Sequence, residues 1–239
     1  MYLYFVRHGK PDYETDTLLP EGVRQAESAA RRLSYSGIDR IYSSPMGRAQ
    51  ETARPTAELL GLPVTVLPWA RELEGESKTL WPDGVPTRLS KVDPLYYYTE
   101  DKRRMTPEEA LLKVEAFNDS GFPERYHEIS EGLDALLLEN GYRRTPEGYY
   151  LAEAPNDRHV ALFCHCAMQR VMLSHLFNSP YNFLAATLQA NFTGITVLFF
   201  PSEGQGKLTV PQVMAYGDVG HIHMDTQEPF ESHWTHEAF

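Results

Sequence analysis

Cysteine is almost missing from this chain: of 239 residues only Cys164 and Cys166 carry a thiol, and they flank His165. Alternate residues of a strand share a face, but a bridge between i and i+2 is strained, so both thiols are read as free and suited to a reducing compartment. A disulfide framework is thereby excluded. No run reaches the roughly eighteen apolar residues that a membrane span needs, and the first strand begins at residue 2, so the protein is expected to start at Met1, without a signal peptide, in the cytoplasm. Positive charge is also scarce. The 22 Lys and Arg are outweighed by 33 Asp and Glu, a formal charge of −11, which argues against nucleic acid as a partner. Any anion must therefore be held by a local cluster.

What is present is an alternation of apolar strands and helices. Tyr2 to Val6 reads as a strand, Glu21 to Ser34 as a helix and Ile38 to Tyr42 as a second strand. Ser44 then reads as an N-cap with Pro45 at the first helical position, opening a helix to Leu60 that Gly61 stops and Pro55 should kink or divide. Val64 to Leu67 follows as a third strand. This βαβα order demands a parallel sheet. It resumes late, with a strand from His159 to Cys164, a helix from about Met168 to Phe177, a strand from Thr193 to Phe200 and a last strand from Leu208 to Tyr216. Pro211 puts that last strand at an edge or on a bulge.

Between them, from about 77 to 154, the alternation breaks. The stretch holds Trp81-Pro82-Asp83-Gly84, the run Tyr96 to Tyr98 and a helix opened by a capping box of Thr106 and Glu109. A longer helix over Glu124 to Asn140 and a hairpin around Thr145-Pro146-Glu147-Gly148 complete it. We expect a single domain over 1–239, a three-layer α/β/α fold with a mostly parallel central sheet, and 77–154 as a largely helical insertion that caps it.

Chemistry-bearing residues fall at the strand ends. Arg7 and His8 follow the first strand, Arg48 lies in the first turn after the second, and His165 follows the strand that begins at His159. In a parallel sheet these ends share one rim, the rim where open α/β sheets bind ligands. Two guanidiniums and two imidazoles there would form an anion site, since a planar guanidinium donates bidentately to phosphate. Zinc is a poor reading of Cys164-His165-Cys166, because metal sites favour C-x-x-C spacing and the alternation sends the thiols away from the imidazole.

The pattern resembles the histidine phosphatase superfamily, also called phosphoglycerate mutase-like. The resemblance is carried by Arg7-His8-Gly9, Glu21-Gly22 with Gln25-Ala26, Ser43-Ser44-Pro45 with Arg48-Ala49 and Thr52-Ala53, and His165 with Arg170. It implies phosphoryl transfer through a phosphohistidine on His8, with Arg7, Arg48 and His165 holding the phosphoryl oxygens and backbone N–H groups near Gly9 and at the helix start around Cys166 adding donors. Glu72 is its choice of general acid, with Glu74 as the runner-up, and Asp218 and His221 are supporting residues. The chain departs from the family where Cys166 replaces the usual Gly after the second His and where Lys10 to Glu14 lacks an Asn. The expected activity is metal-independent hydrolysis of a small phosphorylated metabolite, with no cofactor. The alternatives are a phosphoglycerate-type phosphomutase and a phosphate-binding protein without turnover.

Overall fold

The computed structural model describes residues 1–73 and 121–222, together with the backbone of short strands at 76–80 and 86–88. In chain order these form β1 (Tyr2–Arg7), β2 (Pro11–Asp12), β3 (Thr17–Leu18), α1 (Pro20–Ser34), β4 (Arg40–Ser43), α2 (Gly47–Leu60), β5 (Val64–Val66), β6 (Glu76–Leu80) and β7 (Pro86–Arg88). There follow α3 (Phe122–Glu139), β8 (Tyr142–Arg144), β9 (Tyr150–Ala152), β10 (His159–Cys164), α4 (Cys166–Phe177), α5 (Tyr181–Thr187), β11 (Ile195–Phe199), β12 (Leu208–Thr209) and β13 (Gln212–Asp218). The helix expected from Thr106, the Tyr96 to Tyr98 run and Trp81 to Gly84 lie outside the described residues.

Six strands make the central sheet in the order β13-β11-β1-β10-β4-β5. The pairs β1–β10, β10–β4 and β4–β5 are parallel, whereas β11 and β13 add antiparallel edges. Burial alternates with period two along β1: Leu3 and Phe5 face one core, and Tyr4 and Val6 face the other. Along β10, Leu162 and Cys164 join the first core while Ala161 and Phe163 join the second. The first is roofed by α3, α4 and α5, the second by α1 and α2, giving the three layers.

Several elements differ from the sequence-based expectation. The helix expected inside the insertion, now α3, packs Phe122, Ile129, Leu133 and Leu137 directly into the larger core. It opens at Phe122, ahead of the expected Glu124, and forms part of one helical layer of the sheet. Pro55 does not divide α2, which runs unbroken to Gly61 in the left-handed conformation. Ser44 does not cap α2: the helix begins at Gly47, and the Ser44 hydroxyl instead accepts the Met46 N–H in a local turn. Pro211, which has no N–H to donate to a ladder, separates two strands, β12 pairing with β9 while β13 takes the sheet edge; the β13 register shifts farther along, between Val213 and Asp218.

The loop after β1 is pinned against α1 by two glycines. A Cβ at Gly9 would lie 2.6 Å from the Gly22 carbonyl oxygen, and one at Gly22 would lie 2.1 Å from that of Lys10. Alanine normally stabilises a helix relative to glycine. Here the sign reverses, because backbone cannot move aside as a side-chain end can. Gly22→Ala is expected to destabilise the fold by about 1–3 kcal/mol, the usual cost of overpacking, in urea unfolding.

Candidate active site

The register of the parallel strands builds the site. Arg7 pairs with Cys164 and Phe163 with Ser43, so the next residues, His8, His165 and Ser44, emerge beside one another at one rim. The His8 N–H donates to the Cys164 carbonyl (3.0 Å) and that of Ser44 to Phe163 (2.8 Å), extending the ladder by one step. The ring centroids of His8 and His165 stand 5.2 Å apart. Both side chains are buried.

Burial and two cations keep these rings neutral. Desolvation, then the charges of Arg7 and Arg48, hold His8 well below the ordinary imidazole value. His165 is lowered in the same way, by burial first, then by His8, Arg48 and Arg7. His8 Nδ1 lies 2.7 Å from the Gly9 carbonyl oxygen, which can only accept. The proton of the neutral ring is therefore on Nδ1, and Nε2 keeps its lone pair.

The arginines are fixed by different means. Arg7 donates from Nη1 to the Ala190 carbonyl (2.6 Å), and its guanidinium carbon lies 4.2 Å from the centroid of Phe192, whose ring also packs against His8. Arg48 pairs through Nη1 with Asp16, whose other oxygen accepts the Gly47 N–H at 2.6 Å at the start of α2. Asp16 has φ 54°, and a Cβ at Gly47 would lie 2.4 Å from its carbonyl oxygen, so the two segments meet closely. Arg7 Nε, Arg48 Nε and His165 Nδ1 are all buried without a hydrogen-bond partner among the described residues. An oxyanion accepting from all three would satisfy them, whereas a cation or an apolar ligand would not.

Two expected donor sets are already engaged. The Gly9 N–H donates to Thr52 Oγ1 at 3.0 Å. At the start of α4, the Met168 N–H (3.0 Å) and the Ala167 N–H (3.4 Å) donate to the Glu72 carboxylate, which also accepts from Leu73. A helix N-terminus attracts negative charge, and here the protein's own carboxylate takes that position. The buried Cys166 thiol contacts Gln189, to which Arg170 also donates. Glu74 lies outside the described residues.

Sequence reasoning did not find Asp16, Gln189 or Phe192, and it named Thr52 only as part of the resemblance. Phe192 leads into Thr193, which holds the left-handed φ of 53°, unusual for a β-branched residue. The Thr193 N–H donates to the His8 carbonyl (3.2 Å) and its hydroxyl bonds His221 Nε2 (3.0 Å), so the C-terminal part of the chain braces the backbone of His8. Asp218 sits nearby, paired with Arg32, which lowers its carboxyl to about 2.

A three-layer α/β fold with paired histidines and arginines at the strand ends defines a class of anion-handling proteins, and comparison narrows it. Residues 3–80 match the family model of the histidine phosphatase superfamily (branch 1). That match runs from within β1 to the end of β6, and it is over this segment that the chain is similar to the superfamily. A probable phosphoglycerate mutase of Yersinia pestis is 38% identical over 82 residues, a match spanning 30% of this chain and 38% of the mutase. Among solved structures, phosphoserine phosphatase from Entamoeba histolytica in complex with 3-phosphoglyceric acid superposes with a TM-score of 0.59 at 19% identity, covering 92% of this chain and 98% of the other. The alpha-ribazole phosphatase from Shigella flexneri gives 0.59 at 16% identity, covering 92% and 97%. These likenesses establish the shared fold.

The neutral histidines make stability sensitive to mild acid. Below the ordinary value of 6.5, histidines of the unfolded chain take up protons that His8 and His165 in the fold refuse, so stability is full above that pH and falls as pH drops through it. Asp218 acts in a separate window, losing its contribution only as pH falls from its ordinary 3.8 towards 2. The drop in melting temperature between pH 7 and 5 should therefore be smaller in His8→Asn than in the unsubstituted protein.

Proposed function

We propose that this chain is a metal-independent phosphatase that hydrolyses a small phosphomonoester through a phosphohistidine on His8. One observation carries the reading: His8 is a buried, neutral imidazole with Nδ1 committed to Gly9, leaving the Nε2 lone pair beside two arginines and a second imidazole. In the first step the Nε2 lone pair forms a bond to phosphorus and the ester P–O bond breaks, its electrons leaving with the alkoxide. Arg7 Nε, Arg48 Nε and His165 Nδ1 take the charge of the phosphoryl oxygens, the main service a protein gives phosphoryl transfer. In the second step water attacks phosphorus, the N–P bond breaks and phosphate leaves.

The leaving alkoxide needs a proton, and we assign its delivery to Glu72, which then receives one from the attacking water. Support comes from the resemblance and from the docking of Glu72 on the first turn of α4, the helix that His165 opens. We rank hydrolysis above phosphomutase activity because the phosphatase structures align along nine-tenths of this chain, while the mutase match spans 82 residues. The substrate is a small phosphorylated metabolite, and the cytoplasm is its compartment.

The test is turnover of an aryl phosphate in the presence of chelator, with the acid-labile, base-stable phosphoryl adduct followed by intact mass. Turnover with an adduct that disappears in His8→Ala is expected; turnover retained in His8→Ala would remove His8 as nucleophile. Phosphate that raises the melting temperature without any turnover would leave a binding protein. Recovery of the phosphoryl group on a second hydroxyl rather than on water would mark a mutase. Glu72→Gln should slow alkyl phosphates more than aryl phosphates, whose leaving groups need no proton, and an equal effect on both would reassign the acid.

A further inference from the structure

Ser44 has a neighbour that its place in the chain does not account for. Its side chain is fully buried, and Oγ lies 2.7 Å from His165 Nε2 while accepting the Met46 N–H at 3.2 Å. A hydroxyl has one proton and two lone pairs, and the Met46 N–H occupies one lone pair. Two arrangements of the contact to His165 are then possible. If Nε2 carried the ring proton, the hydroxyl proton would have no acceptor among the described hydrogen bonds, and the Nδ1 lone pair would also be unpaired, leaving two buried polar groups unsatisfied. If the hydroxyl donates to Nε2, the ring proton is on Nδ1, and that N–H is the one group left unpaired. Each orphaned buried group is costly, so the second arrangement wins.

We infer that Ser44 is a positioning residue that locks His165 in the tautomer protonated at Nδ1, making its ring a neutral N–H donor beside the His8 nucleophile. The two imidazoles then present opposite groups to the space they share. His8, held by the Gly9 carbonyl, offers a lone pair; His165, held by the Ser44 hydroxyl, offers a proton donor. The donor can meet a phosphoryl oxygen without the ring being charged, which its burial opposes. The catalytic half of this assignment rests on the phosphatase reading, whereas the tautomer does not.

Nitrogen-15 NMR of the full chain decides the lock directly, with the His165 signals assigned by their loss in His165→Asn. The expected result is a protonated Nδ1 and a pyridine-like Nε2; the reverse pattern overturns the proposal whether or not the protein turns over phosphates. Ser44→Ala, with folding checked by its melting temperature, should move His165 towards the other tautomer and lower kcat/KM for the aryl phosphate by about tenfold or more. An unchanged tautomer with unchanged kcat/KM would also overturn it. An asparagine amide nitrogen can stand near the place of Nδ1 and a glutamine nitrogen near that of Nε2, so His165→Asn should retain more activity than His165→Gln, and the opposite order counts against the lock. If the NMR result is as expected and no phosphate is hydrolysed, the lock stands and the phosphatase reading fails.

Discussion

The site depends on the register of three parallel strands. β1, β10 and β4 are aligned so that Arg7 pairs with Cys164 and Phe163 with Ser43, and every group at the rim follows from that alignment. A slip of one residue would turn Leu3, Phe5 and Leu162 out of one core and Tyr4, Val6 and Phe163 out of the other. The apolar alternation that stabilises the sheet is therefore the same constraint that sets His8 against His165. Stability and site geometry are not separate demands on these strands.

Electrostatics at the rim run against the character of the whole chain. A protein of formal charge −11 gathers buried Arg7 and Arg48 around two uncharged rings. Each guanidinium is held through Nη1, Arg7 on a backbone carbonyl and Arg48 on Asp16, while Nε is buried in both without a hydrogen-bond partner among the described residues. Pinning one end of a planar fork fixes the direction of the rest, so little reorganisation is required when an oxyanion is met. Glu72 occupies the start of α4, and recognition at this rim consequently falls to side chains more than to helix N–H groups.

Arg7, His8, Arg48 and His165 were legible in the sequence because each lies at or just beyond an apolar strand, where local periodicity alone fixes their place. The three layers and the edge position imposed by Pro211 were legible for the same reason. Asp16, Phe192 and Gln189 were not, since each acts on a partner brought near by the fold and carries no periodic signal of its own. Ser44 misled: Ser-Pro is a sound helix-start signal, but a histidine just beyond a strand far along the chain engages its hydroxyl. The helix Phe122–Glu139 was recognisable as a helix, yet which core residues it packs against is settled by long-range packing that its own pattern does not encode.

The central place of β1 also bears on how the protein is made. Both of its sheet neighbours come late in the chain, Tyr2 pairing with His159 on one side and Phe199 on the other. Pairings so distant in sequence are slow to form, and during synthesis from the N-terminus β1 must wait unpaired until most of the chain has left the ribosome. An apolar strand held open for that long is a natural client for a chaperone. It also means that the two histidines first meet when the sheet closes, so a chain cut short before β10 has no partial site.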